Sequence, residues 1–153
     1  MRWIALLFTL ILPAISHAQS ASRSDVAQIE DCVRNYSKGA PQERVIGGCV
    51  GIIDGACRSK TTIEIAECIM RETAAWDHLL NAWWKPMKAR AQANGNWDQL
   101  LAVQRQWIKE RDAECQRAYD SAGGGSIRVI YGAECQRDLT AKRAVEFYYA
   151  LNE

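Results

Sequence analysis

Residues 61–93 read TTIEIAECIMRETAAWDHLLNAWWKPMKARAQA, and this stretch decides the fold. Ile65, Cys68, Ile69, Glu72, Trp76, Leu79, Leu80, Trp83 and Met87 recur at steps of three and four, the spacing of one face of an α-helix. Thr61 with Glu64 three residues on is a capping box, in which side chain and backbone satisfy each other's free groups at a helix start. The pattern predicts one long helix running to about Ala93. Pro86 lies inside it, deletes one backbone hydrogen bond, and is expected to kink the helix near Ala82. Asn94-Gly95-Asn96 reads as a turn, with Gly95 suited to the left-handed position after a helix.

Working outward, a fourth helix starts from Asn96 as N-cap, with Gln99 in the reciprocal capping position. Leu100, Leu101, Gln104, Trp107, Ile108, Arg111, Cys115 and Tyr119 carry it onward. The turn between these two helices is short, so they are expected to form an antiparallel hairpin. A loop follows from Ser121 to about Gly132, with Gly123-Gly124-Gly125 near its start. A last helix runs from about Ala133 to Leu151 through Cys135, Leu139, Arg143, Phe147 and Tyr148. Upstream, a first helix spans about Asp25 to Lys38 with Ser24 as N-cap. Its face carries Val26, Ile29, Val33 and Tyr36, with Cys32 alongside, and Gly39 and Pro41 end it. Val45, Ile46, Cys49, Val50 and Ile53 fit a second helix over about Gln42 to Ala56. Gly47, Gly48 and Gly51 weaken it, each by roughly 1 kcal/mol relative to Ala. The other reading of this span is a partly irregular segment pinned by Cys49 and Cys57. Strand alternation is absent, so the fold class is all-α, a small bundle of about five helices.

The chain has 153 residues. Arg2 followed by the apolar run Trp3 to Ile15 and by Ser16-His17-Ala18 reads as a signal peptide over residues 1–18. No cysteine follows that cleavage site, so a lipoprotein anchor is not expected, and no later segment is apolar enough to cross a membrane. Removing the leader takes away one arginine and no acid, leaving 18 basic residues against 18 acidic. A neutral chain has no long-range pull on nucleic acid or anionic lipid. Residues 19–56 read as an N-terminal helical extension and 57–153 as the main helical domain, packed together as one unit.

Six cysteines follow the leader: Cys32, Cys49, Cys57, Cys68, Cys115 and Cys135. An even number in an exported chain points to three disulfides, each contributing about 2–4 kcal/mol. Cys115 and Cys135 bracket the Gly-rich loop and form the firmest pair. Cys57 with Cys68 spans the entry to the long helix, and Cys32 with Cys49 then joins the first two helices. Exchange among the four N-terminal cysteines stays open. No C-x-x-C pair exists, so zinc is the weaker reading and no metal or cofactor is expected.

Trp76, Trp83 and Trp107 fall on the apolar stripes and read as core. Trp84 and Trp97 fall off the stripe or at a helix start and are candidates for an exposed contact surface. His78 is the single histidine after the leader, and no nucleophile elbow accompanies it. Glu72, Asp77, Asp112, Glu114 and Glu146 are the acid–base candidates. The plainer reading makes them structural, with Arg111, Asp112 and Arg143 in an inter-helix network with Glu72 or Asp77. The loop Gly123-Gly124-Gly125-Ser126-Ile127-Arg128 is the strongest functional candidate. Its glycines allow close backbone approach, and a bridge at its base would preorganise it. The plainer reading is a simple connection with Ile127, Val129 and Ile130 tucked into the core.

Three blocks in order carry a resemblance. Cys57 through Cys68 is followed by Trp76-Asp77-x-x-Leu80-Asn81. Gln104-Arg105-x-Trp107-Ile108-x-x-Arg111-Asp112-Ala113-x-Cys115 comes next. Gly124-Gly125-Ser126 then precedes Cys135, Leu139-Thr140 and Arg143. With these the chain resembles the lysozyme inhibitor LprI-like family of small exported bacterial proteins, over roughly its last two thirds. Residues through Cys49 resemble an N-terminal extension found in some relatives. The resemblance implies an all-α, disulfide-bonded periplasmic domain that binds and inhibits lysozyme. The expectation is therefore an exported, non-enzymatic protein-binding module. Gly124, Gly125, Ser126 and Arg128 meet the partner, and Trp76, Asp77, Trp107, Arg111, Asp112 and Arg143 form the structural network. The alternatives are a periplasmic enzyme using a cleft carboxylate or His78, and a structural envelope protein.

Overall fold

The computed structural model describes residues 21–152, so the expected leader lies outside the described residues. The order is α1 (Arg23–Tyr36), α2 (Gln42–Cys49), a 3-10 turn (Asp54–Ala56), α3 (Thr62–Ala93), α4 (Trp97–Ser121) and α5 (Arg128–Asn152). The fold is an all-α bundle with three disulfides and, among the described residues, no strand.

The start of α3 follows directly from its first residues. Glu64 N–H donates to Thr61 Oγ1, and Glu64 Oε2 accepts from the Thr61 and Lys60 N–H groups. Those two backbone donors hold the Glu64 carboxyl below its ordinary pKa. The helix runs on through Pro86 to Ala93. At its end Gly95, at φ 71°, donates to Gln92 O while Asn96 N–H reaches back to Ala91 O. That pair of hydrogen bonds closes the helix and reverses the chain.

Paired residues give the directions of the helices. Ile69 of α3 clusters with Ile130 and Ala133 near the start of α5, and Trp84 stacks on Phe147 near its end. These two helices therefore run parallel. Cys115 joins Cys135, Arg111 meets Thr140, and Arg143 meets Gln104, so α4 returns antiparallel along α5. The α3–α5 pairing is the most extensive in the bundle, and α4 packs on α5 more than on α3. Trp76 is fully buried in a core that draws Ile29 and Val33 from α1, Val45 and Cys49 from α2, and Ala141, Val145 and Phe147 from α5. Trp83 and Trp107 pack half-buried against it. Trp84 and Trp97, candidates for an open contact surface, are half-buried instead. Trp84 meets Phe147 and Trp97, with ring centroids 5.5 and 5.6 Å away, and this aromatic cluster joins α3 to α5 and to the start of α4.

Local expectations shift in four places. The first helix starts two residues earlier, capped at Ser22 rather than Ser24. Asn96 caps α4 without a side-chain bond. The last helix begins at Arg128, because Gly132 sits inside it against Tyr119. A Cβ there would stand 3.3 Å from the Tyr119 side chain, so the glycine is a close-packing contact and not the end of a loop. The second helix stops at Cys49 instead of reaching Ala56.

The reason for that stop is tertiary. Gly51 takes φ 88°, and the backbone N–H groups of Gly51, Ile53 and Asp54 donate to the Glu72 carboxylate at 2.7, 2.9 and 3.1 Å. Trp76 Nε1–H donates to the same carboxylate at 3.1 Å. Glu72 is 0% exposed, so its charge is held by four donors in place of water. Outside this knot, Arg71 grips the 3% exposed Asp25 through two bonds of 2.6 Å and ties α1 to α3. Cys32 to Cys49 and Cys57 to Cys68 add covalent ties, with Cα separations of 5.8 and 6.6 Å.

Replacing Glu72 by Ala leaves three backbone donors and an indole without acceptors in a dry site. The expected loss is about 3–5 kcal/mol, the cost of stranding buried polar partners. Urea unfolding of the oxidised chain at neutral pH measures it, and a loss below about 1 kcal/mol would mean that the loop does not depend on this carboxylate.

Candidate functional site

The Gly-rich connection is shorter than its sequence suggested, because α5 absorbs Arg128 to Gly132. After α4 ends at Ser121, Gly123 turns the chain with φ 72°. Gly123, Gly124, Gly125, Ser126 and Ile127 then lie exposed. Both flanks are fixed. Cys115 and Cys135 bond with Cα atoms 5.3 Å apart, Gly132 abuts Tyr119, and the Arg128 guanidinium lies 4.9 Å from the Tyr119 ring centroid. Ser126 and Arg128 stand in solvent. Of the three apolar residues that a plain connection would bury, Ile130 is buried and Val129 half-buried, while Ile127 stays out at 41%.

The expected network of arginines with Glu72 or Asp77 is not formed. Arg111 donates through Nε and Nη2 to the neighbouring Asp112 at 3.0 and 2.8 Å, and through Nη1 to Thr140 Oγ1 at 3.4 Å. Arg143 bonds Gln104 and Glu146 at 3.0 and 2.9 Å. Both guanidinium groups lie over the Trp107 ring, at 5.1 and 5.6 Å, and Arg143 also covers Phe147 at 4.7 Å. Trp107, Arg111, Asp112 and Arg143 do form one unit, which locks α4 to α5 by cation–π stacking. Trp76 belongs instead to the Glu72 knot, and Asp77 accepts from Asn81 on its own helix. The spacing of Arg111 and Arg143 places them near the bundle interior; only packing shows that both lie against one indole.

Asp54 was missed in the sequence. It pairs with Arg137 at 2.8 Å, and its Oδ1 is buried with no hydrogen-bond partner among the described residues. Burial raises its pKa, the positive Arg137 opposes that, and the adjacent Glu72 raises it further. No motif flags this residue, since its environment comes from Glu72 and Arg137, 18 and 83 positions away.

Acid–base chemistry finds little assembly here. Glu72 is consumed by its four donors. Asp112 and Glu146 hold arginines, Glu114 lines a small cleft of about 180 Å³ beside Arg143, and His78 is exposed on α3. Among the described residues no cluster of His, Cys, Asp and Glu could hold a metal ion, and no helix is long and apolar enough to cross a membrane. A groove of about 710 Å³ is bounded by α3, α5 and Arg111 of α4. Ile63, Met70 and Val129 give it an apolar wall, and Glu67 and Asp77 line it too.

The disulfide-stapled helical bundle thus presents a clamped glycine loop and an open groove. The chain belongs to the LprI lysozyme-inhibitor family, whose model matches residues 54–147. That match begins at Asp54 and takes in the groove, the loop and the Trp107 unit. The chain is also 29% identical over 103 residues to an uncharacterised protein of Rhizobium meliloti, covering 59% of this chain and 74% of the relative. No solved structure matches it. Membership implies a protein partner, and the disulfides fit an oxidising compartment.

The Asp54 site generates a pH test. A carboxyl whose folded pKa is raised holds its proton more tightly in the native state. Its stabilising contribution is present at low pH and is lost as pH climbs through the raised pKa. Asp54→Asn keeps the neutral shape at every pH. The melting temperature of this variant relative to the native chain therefore rises between about pH 3 and about pH 7. Thermal unfolding followed by circular dichroism at several pH values checks the direction, and a falling difference would mean that Arg137 outweighs burial.

Proposed function

We propose that this protein is an exported binding module, periplasmic or secreted after loss of residues 1–18, that inhibits lysozyme by presenting Gly123–Arg128 to the enzyme's cleft. The observation carrying this reading is the clamped loop: five exposed residues between two helices that a disulfide and an Arg–Tyr stack hold together. A loop fixed before contact loses little further entropy on binding. Lysozyme works through two carboxyl groups in a cleft. Ser126 Oγ donates a hydrogen bond to one of them. Arg128 reaches the other through guanidinium N–H groups, which stacking on Tyr119 leaves free at the edge. Gly124 and Gly125 have no side chain to hold the two backbones apart, and a Cβ at Gly124 would meet nothing within 4 Å in the free protein. The protein acts by occupying the cleft, and none of its own groups takes part in bond-making.

The double change Ser126→Ala and Arg128→Ala tests this against a panel of lysozymes. The expected result is inhibition weakened about 30-fold or more, as for loss of an interface hot spot of about 2 kcal/mol, with the melting temperature unchanged within about 3 °C. Undiminished inhibition by the folded double variant would remove the loop from the mechanism.

A further inference from the structure

The groove between α3 and α5 has a chemistry that the loop does not share. Ile63 and Met70 are 63% and 42% exposed. They stand seven residues apart, on the same side of α3 as Ala66 and Ala74, and all four line the groove. Ala66 and Ala74 are half-buried, Ala66 against the Ile69, Ile130 and Ala133 cluster, and form the floor. Ile63 and Met70 stand outside the stripe that α3 buries in the core, as an apolar rim that the described residues leave exposed. Val129 adds to this apolar lining from the start of α5, at the end nearest the loop, while Asp77, Arg111 and Thr140 line the other end.

Charge narrows what fits. Glu67 and Asp77 sit on the same wall, ten residues apart, which is about 15 Å along a helix. Neither makes an ion pair among the described residues. Arg111 brings no free positive charge, since Asp112 holds it at 2.8 Å. An apolar channel with uncompensated negative charge along one wall selects an apolar stripe flanked by cations. The lined stretch from Ile63 to Asp77 is about 21 Å long, the length of a helix of about 14 residues.

We propose that this groove is a second docking site, separate from the loop, which receives a cationic amphipathic helix of a partner protein. Apolar side chains spaced three, four and seven apart enter between α3 and α5, and Lys or Arg residues on the flanks meet Glu67 and Asp77. The proposal rests on the protein-binding reading but not on lysozyme being the partner.

The probe is a fluorescein-labelled 16-residue helical peptide with Leu at that spacing and Lys on the flanks. Its counterpart carries Glu in place of Lys. Binding to the oxidised chain lacking residues 1–18 is read by anisotropy. The Lys peptide is expected to bind at least about 10-fold tighter than the Glu peptide at low salt, a preference that shrinks at about 0.5 M salt. Ile63→Ser with Met70→Ser weakens it about 10-fold or more by removing apolar contact. Glu67→Gln with Asp77→Asn weakens it about 5-fold and abolishes the charge preference. All four positions are half-buried or exposed, and circular dichroism confirms that the variants fold. Ser126→Ala with Arg128→Ala leaves peptide binding unchanged, which separates this site from the loop. Absence of Lys-peptide binding, equal affinity for both peptides, or indifference to the Ile63 and Met70 changes would overturn the proposal. So would a loss in the loop variant as large as in the groove variants. Failure of lysozyme inhibition would strike the loop alone.

Discussion

One buried carboxylate organises this molecule. Glu72 sits at the middle of the segment where α3 meets the chain leaving α2, and it gathers three backbone N–H groups and an indole N–H onto two oxygens. A charge without water is tolerable only when so many donors converge. The consequence runs in both directions. The carboxylate is stable because the loop folds around it, and residues Gly51 to Asp54 hold their irregular path because it accepts their N–H groups. Trp76, oriented through its Nε1, is thereby fixed at the centre of the core. Asp54 is drawn in beside it and relies on Arg137 of α5 to balance the charge. A single acid on α3 thus ties together α2, the 3-10 turn, and by way of Arg137 the last helix.

From that centre the bundle divides labour among its surfaces. One face of α3 is committed to α5 and the core, in parallel alignment, while α4 folds back along α5. The Trp107 unit seals α4 to α5 with stacked arginines whose charges are met by Asp112 and Glu146. Covalent and cation–π ties flank the glycine loop, so its exposed residues leave from a fixed base. Rigidity there and openness in the α3–α5 groove are both consequences of α4 packing on α5 more than on α3. On the side of α3 that faces the groove, Ile63 and Met70 stay exposed because no helix among the described residues closes over them.

Much of this was legible in the residues themselves. The long helix, its capping box and its Gly95 stop are local events, decided within four or five residues of each signal. Steps of three and four identified the core face of α3, and the family resemblance matched the segment that the family model covers. The misplaced boundaries share a cause. Gly132 looked like loop because glycine weakens helices, yet it lies in α5 where Tyr119 needs room. The apolar spacing past Cys49 looked helical, yet a distant carboxylate accepts the N–H groups that a helix would have used internally. Trp84 and Trp97 looked free because their partners, each other and Phe147, come from separate elements.

The chain alone determined an all-α bundle stapled by sulfur, because helical periodicity, caps and breakers act over short range and an even cysteine count speaks for itself. Tertiary structure alone decided which charges meet. Ion pairs and stacked rings join residues dozens of positions apart, and their selection depends on distances that no periodicity encodes. It assigned Glu72 to the backbone of a loop, left Arg111 to its neighbour and Thr140, and exposed Ile63 and Met70 beside Glu67 and Asp77. A side chain's chemistry follows from its type, but its role follows from which partners remain after the helices have packed.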